Sequence, residues 1–339
     1  MTHYTKKNRT LIIAEIGVNH NGKIKLAKKL INLASKAGAD IVKFQSYRTE
    51  ELVTAKSRLA DYQKKKSNIK NQFQLLKKYE LNENQIKSLQ KFAIKKKIEF
   101  LLSPFDLKSI NLIKKLNCKR IKIPSGEINN LPYLEKIGEL KKDVILSSGM
   151  SSIKEIGNAI KILLKKGMKK KQITVLHCNT SYPSPAKDLH LKAMRSIKDK
   201  FNVKVGYSDH SNNSETPIIA VSLGASIFEK HLTLSRKMKG PDHSSSFDFK
   251  LFSRLVKNIR NTEIILGGNK KIISESEKGN LNLVRKSIVA SQIIKKNEKF
   301  TTRNITTKRP GDGISPMNFK KILGKKAKKS FLKDEIIFV

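Results

Sequence analysis

Tryptophan is absent, and only two cysteines, Cys118 and Cys178, occur in the 339 residues. Two cysteines build neither a disulfide framework nor a zinc ribbon, and a reducing cytoplasm is the simplest home for them. No run approaches the roughly 18 uncharged apolar residues that a membrane-spanning helix needs. The basic residues Lys6, Lys7 and Arg9 precede an apolar run that Glu15 breaks, too short for a signal peptide. Acidic side chains are scarce: 28, against 71 lysines and arginines, for a net charge of +43. That excess fits either a nucleic-acid or anionic-surface binder or lysine-biased usage spread over solvated helix faces. The lysine runs, among them Lys64-Lys65-Lys66, Lys95-Lys96-Lys97 and Lys169-Lys170-Lys171, carry few aromatics between them to stack bases. No zinc-finger, RRM or KH signature accompanies them, so no specific nucleic-acid partner is expected. An anionic small substrate would still be drawn in by the field.

What is present is a repeat of strand and helix patterns. Thr10 to Ile16 reads as a strand, and Ile24 to Ala37 as a helix with Leu26, Ala27, Leu30, Ile31 and Ala34 on one stripe. Asp40 to Gln45 is the second strand. After a lysine-rich connection, Asn82 with Gln85 forms a capping box for a helix to Lys97, and Ser152 with Glu155 forms another for a helix ending at Gly167. Further strands are read at Ile98–Leu102, Arg120–Ile123, Val144–Leu146, Ile173–Leu176, Val203–Tyr207 and Ser226–Phe228, and a last long helix at Asp248–Leu266. Eight such units fit a (β/α)8 TIM barrel better than a doubly wound sheet, and no Gly-rich dinucleotide fingerprint follows the first strand. Gly267-Gly268 then marks a boundary. The expected organisation is a barrel over residues 1–268, a polar linker over 269–282 and a small β-rich module over 283–339. In that module Val284–Ala290 and Glu335–Val339 look like strands around the Gly/Pro-rich loop Arg309–Pro316.

Polar residues at the C-terminal ends of barrel strands converge on one pocket. The units supply Glu15; Lys43 and Gln45; Ser103; Lys122, Ser125 and Glu127; Ser147; Asn179, Thr180 and Tyr182; Ser208, Asp209 and His210; Glu229 and His231. Singly, a serine there caps the next helix, a lysine snorkels and a histidine makes a hydrogen bond. Jointly, lysines and hydroxyls at one rim suit phosphate or carboxylate groups, two carboxylates suit acid–base work or sugar hydroxyls, and two histidines ending neighbouring strands suit a divalent metal.

The runs Ala14-Glu15-Ile16-Gly17-Val18-Asn19-His20-Asn21-Gly22, Lys43-Phe44-Gln45, Ser103-Pro104-Phe105-Asp106, Lys122-Ile123-Pro124-Ser125-Gly126-Glu127, Gly206-Tyr207-Ser208-Asp209-His210, Glu229-Lys230-His231 and Gly240-Pro241-Asp242-His243 resemble those of the sialic acid (N-acylneuraminate) synthases. The C-terminal Arg285-Lys286-Ser287 and Arg309-Pro310-Gly311 resemble that family's antifreeze-like (SAF) domain. The likeness runs over nearly the whole chain. It implies condensation of phosphoenolpyruvate with an N-acyl-mannosamine-type sugar to a nine-carbon 2-keto acid, with phosphate released. It further implies a divalent metal on His210 and His231, Mn2+ first, with Mg2+ or Co2+ as alternatives. Lys122, Ser125, Ser147 and Ser208, helped by Lys43 and Ser103, would hold phosphoenolpyruvate. Glu15 and Glu127 would be catalytic, Gln45, Tyr182 and Asp242 would contact the sugar, and Asn179 and Thr180 would also bind substrate. Arg309 would meet the N-acyl group from the partner chain of a domain-swapped homodimer. Pro124 and the Cys178-Asn179-Thr180-Ser181-Tyr182-Pro183 pattern lean toward the legionaminic acid branch, whose sugar is 2,4-diacetamido-2,4,6-trideoxymannose, over N-acetylmannosamine. A related phosphoenolpyruvate aldol synthase on another sugar is the alternative within the enzyme class.

Overall fold

The computed structural model describes residues 9–59, 69 and 71–339. Lys6, Lys7 and the Lys64-Lys65-Lys66 run lie outside the described residues. The chain divides into two compact units, Met1–Gly267 and Gly268–Val339.

In the first unit eight parallel strands close in chain order into a barrel, so the expected TIM-barrel architecture is observed. They are β1 (Leu11–Gly17), β2 (Ile41–Ser46), β3 (Glu99–Pro104), β4 (Arg120–Ile123), β5 (Asp143–Ser147), β6 (Ile173–Cys178), β7 (Lys204–Asp209) and β8 (Ile227–His231). β1 pairs with β8 to seal the cylinder. The helices between strands bury one stripe each. In Ile24–Lys36, for example, Ala27, Leu30, Ile31 and Ala34 face the sheet while lysines face water. Both capping boxes form, at Asn82/Gln85 and Ser152/Glu155, and Asp106 and Asp248 cap two further helices. The larger core lies between sheet and helices. A second, smaller cluster fills the barrel floor: Ile13, Ile41, Leu101, Ile145, Leu176 and Ile227.

Several strands run further than their apolar runs indicate. β5, β6, β7 and β8 take in Ser147, Cys178, Asp209 and His231, so His231 is part of its strand instead of following it. The reason is that the polar residues at these ends pair in register with neighbours, for instance Ser208 with Glu229 and Asp209 with Lys230. A sequence scan stops a strand where hydrophobicity stops; the ladder continues wherever polar groups find partners inside.

The second unit holds a two-stranded antiparallel sheet, β9 (Ser287–Ala290) with β10 (Ile305–Lys308). Ile288, Ala290, Ile294, Phe300, Ile305, Ile322, Ala327, Phe331 and Ile337 form its core. Short helices span Glu275–Lys278 and Asn280–Val284, and the backbone N–H of Arg285 still closes on the carbonyl of Leu281. Val284, Arg285 and Lys286 are therefore not strand, a correction to the strand expected from residue 284. At the chain end only Ile336 makes a bridge, to Val289, and Glu335–Val339 is not a continuous strand. No helix among the described residues is long and apolar enough to cross a membrane.

Candidate active site at the barrel mouth

Side chains alternate faces along a strand, so each floor residue fixes what lies two positions further toward the mouth. Above Ile13, Ile41, Leu101, Ile145 and Ile227 stand Glu15, Lys43, Ser103, Ser147 and Glu229. β4 and β7 add Lys122 and Ser208 to this layer, and all seven side chains are buried. One step higher come Gln45 and, on neighbouring strand ends, His210 and His231.

The middle layer is a connected ionic cluster. Glu229 lies between two ammonium groups, 3.0 Å from Lys43 Nζ and 3.1 Å from Lys122 Nζ, and accepts a hydrogen bond from Ser208 Oγ at 2.9 Å. Lys43 Nζ is also 3.5 Å from Glu15, whose other oxygen accepts from Gln45 Nε2 at 3.4 Å. Burial alone would raise Glu229, but Lys122 and Lys43 outweigh it and hold the carboxyl well below the usual carboxylate range. Burial pushes Glu15 up to about 7, against the pull of Lys43 and with the push of Glu229. Lys122 is lowered, by burial first and by Lys43 beside it, although Glu229 opposes the shift. Two carboxylates of one layer are thus driven in opposite directions, the arrangement that separates an ionised group from one able to exchange a proton near neutrality.

Glu229 is the residue whose role sequence reasoning missed. It was visible as a strand-end carboxylate, yet its place as the shared counter-ion of both lysines was not. Counting back two from His231 would have put it on the inner face.

His210 and His231 lie side by side, ring centroids 5.7 Å apart, and Tyr182 stacks on His210 at 4.1 Å. The Nδ1–H of His210 donates to the Asn179 carbonyl at 2.5 Å, which leaves Nε2 as the lone-pair nitrogen, here accepting from the Tyr182 hydroxyl at 3.0 Å. His231 Nδ1 is buried with no hydrogen-bond partner. Burial pushes His210 down to about 4 and His231 well below the usual range. Neutral imidazoles with lone pairs in hand fit a divalent metal, and the second-sphere bond from Nδ1 to a carbonyl is the usual way to orient such a ligand. No group of three or more His, Cys, Asp or Glu arranged for a metal occurs among the described residues. Two imidazoles would be the chain's share, with water or substrate oxygens completing the shell. Gly17 permits this packing: it sits at φ +51°, and a Cβ there would come 3.1 Å from His231 Cε1.

Ser103 Oγ donates to the Lys122 carbonyl at 3.3 Å, and Ser125 Oγ accepts from the Gly149 N–H at 3.0 Å. Ser147 is buried on β5, Asp242 is buried, and Thr180 is half-buried. Glu127, in a short 3-10 turn, accepts from Asn130 Nδ2 at 2.6 Å, and burial raises its carboxyl. Asn179 differs from expectation: its amide folds its own loop, bonding Ser181 and Asp188, and it meets the histidines through its backbone carbonyl. Arg309 belongs to the C-terminal unit, where its Nε donates to the Val284 carbonyl at 2.9 Å. The Asn19-His20-Asn21 and Asp242-His243 runs form a latch between the loops after β1 and β8. Asn19 Nδ2 donates to the Leu232 carbonyl and to Ser246 Oγ, while His243 bonds Thr233 and Asn21.

A model of the NeuB family matches residues 30–271, and a SAF domain model matches residues 285–338. The chain is 48% identical over 330 residues to an N,N'-diacetyllegionaminic acid synthase of Campylobacter jejuni, covering 97% of this chain and 99% of that protein. It is 39% identical over 316 residues to an N,N'-diacetyllegionaminic acid synthase of Legionella pneumophila, covering 92% and 89%. Among solved structures, an N-acetylneuraminic acid synthetase from Leptospira borgpetersenii in complex with citrate matches with a TM-score of 0.72 and 35% identity, over 80% of this chain and 90% of that one.

Proposed function

The chain belongs to the NeuB family, and we propose that it condenses phosphoenolpyruvate with 2,4-diacetamido-2,4,6-trideoxymannose to give N,N'-diacetyllegionaminate and phosphate. The observation that carries the reaction class is the pair of buried lysines, Lys43 and Lys122, set among hydroxyls in the layer below His210 and His231. The choice of sugar follows the Campylobacter and Legionella relatives; N-acetylmannosamine is the nearest competitor.

Lys43 and Lys122, with Ser103, Ser125, Ser147 and Ser208, would receive the phosphate and carboxylate of phosphoenolpyruvate. Before substrate arrives, Glu229 keeps both ammonium groups paired and in place. His210 and His231 would hold a divalent ion, Mn2+ in first place, which when bound would supply Lewis-acid polarisation of the sugar aldehyde. C3 of phosphoenolpyruvate forms the new bond to the aldehyde carbon, water adds at C2, and phosphate leaves with its bridging oxygen by C–O cleavage. Glu15, held near neutrality by burial, is poised to move a proton beside C2. Glu127, Gln45, Tyr182 and Asp242 would align the sugar, with Asn179 and Thr180 shaping the same wall. Arg309 of a partner subunit is assigned to the N-acyl group, which makes the working form a homodimer with exchanged C-terminal units.

The test mixes the intact chain, Mn2+ and phosphoenolpyruvate with each candidate sugar and measures phosphate release. Release with the diacetamido sugar at a higher kcat/KM than with N-acetylmannosamine is expected. No release with any N-acyl-mannose analogue would sink the proposal.

A further inference from the structure

The mechanism leaves one buried ion pair unused. Asp209 and Lys230 are neighbours in the β7–β8 register, and each immediately precedes one of the two histidines. Alternation turns both outward, away from the reacting layer and into the shell between sheet and helices. Lys230 Nζ stands 2.8 Å from Asp209 Oδ2, and both side chains are fully buried. The same ammonium donates to the Ser211 carbonyl and lies 4.3 Å from the centre of the Phe247 ring. Asp209 in turn accepts from the Ser211 N–H at 2.9 Å and from Thr216 Oγ1 at 3.1 Å.

The contacts bracket the histidines. Asp209 and Ser211 flank His210, and one ammonium grips both. Phe247, which the ammonium also touches, donates its backbone N–H to the His231 carbonyl at 2.9 Å. One cation therefore joins the Asp209 carboxylate and the Ser211 carbonyl, on either side of His210, to the ring of Phe247, whose backbone holds the His231 carbonyl. A buried ion pair is poor evidence for stability, because an apolar pair of equal volume packs about as well. What an apolar pair would not supply is direction, which charged hydrogen bonds do.

We propose that the Asp209–Lys230 pair is a positioning device that fixes the spacing of His210 and His231 for a divalent cation. The inference rests on the metal reading given above. It assigns Asp209 and Lys230 no contact with substrate; they act through the histidine backbones. Their loss therefore weakens the cation and spares the phosphoenolpyruvate layer.

The experiment titrates Mn2+, and separately phosphoenolpyruvate without metal, into the intact chain by calorimetry. The main variant is Asp209→Asn with Lys230→Met, which removes both charges together and leaves none unpaired. Mn2+ affinity is expected to fall about 10- to 100-fold, the usual consequence of losing second-sphere support. Phosphoenolpyruvate affinity is expected to stay within about twofold, since its contacts, Ser208 included, point to the opposite, inner face of the sheet. Mn2+ affinity unchanged in a cooperatively folding double variant overturns the proposal. Equal weakening of both ligands overturns it as well, by showing a general packing role. Should the double variant fail to fold cooperatively, Thr216→Val decides. It removes one bond to Asp209 and is expected to give a smaller loss for Mn2+ alone; no loss overturns the proposal. If the parent chain takes up no Mn2+, the metal reading itself is wrong and the inference falls with it.

Discussion

Lys122 and Glu229 are 107 residues apart in the chain and meet at 3.1 Å inside the barrel, with Lys43 completing the bridge at 3.0 Å on the other carboxylate oxygen. One buried carboxylate serves two buried cations. Glu229→Gln keeps the shape and removes the charge, leaving two desolvated ammonium groups with only Glu15 nearby. Breaking a buried pair in this way typically costs about 3–5 kcal/mol. Urea unfolding should show a loss of that order, and phosphate release should slow by at least about 100-fold. Stability within about 1 kcal/mol of the parent would show that Glu229 is not the counter-ion that the geometry indicates.

His210→Ala combined with His231→Ala should abolish Mn2+ uptake and turnover while leaving a cooperative unfolding transition. Both rings sit at the mouth, above the apolar floor, so their removal does not open the main core. Retained turnover in that double variant would refute the metal role.

Gly17→Ala places a methyl group against His231 at a backbone position of φ +51°. The left-handed conformation alone costs a non-glycine residue about 1–3 kcal/mol. A melting temperature several degrees lower and weakened Mn2+ binding are expected together. Lower stability with undisturbed metal affinity would mean that the imbedded imidazole tolerates the methyl.

Stability should fall as the solution is acidified through the histidine range. Burial holds His20 down to about 4 in the folded chain, where its Nδ1 accepts from the Gly22 N–H, while the unfolded chain titrates near 6.5. The folded state therefore binds fewer protons between these values. The stabilisation is complete above about pH 6.5 and is lost as pH drops through about 4. For His20 the shift corresponds to roughly 3 kcal/mol. Denaturant midpoints measured from pH 7 to pH 4 in the parent and in His20→Asn give the check: the variant should show a shallower decline. Parallel profiles would exclude His20 as a source.

The barrel was legible in the sequence because its signals are local. Amphipathic stripes such as Leu26 to Ala34, the capping boxes at Asn82 and Ser152, and polar residues closing each apolar run need no knowledge of distant partners. The mouth was legible for the same reason: Lys43, Lys122, Ser208, His210 and His231 each lie in or directly after a strand, and the family resemblance gave them roles. What remained hidden depends on which strands become neighbours and on which face each residue takes. Glu229 reads as one acid in Glu-Lys-His until β4 and β2 bring Lys122 and Lys43 to it. Asp209 and Lys230 read as filler beside histidines until register pairs them. Asn179 reads as a side-chain ligand until the fold shows its carbonyl at His210 Nδ1.

The seam between β1 and β8 sets Glu15 against His231 in register, and Glu229 arrives on that same last strand. Synthesis from the N-terminus delivers Lys43 and Lys122 long before Glu229, the one carboxylate that pairs with both. A nascent chain that ends before β8 has two lysines facing an interior that cannot yet be dried, and two strands with open edges. Closure of the cylinder, pairing of both lysines with Glu229 and completion of the histidine pair all wait on the final barrel strand.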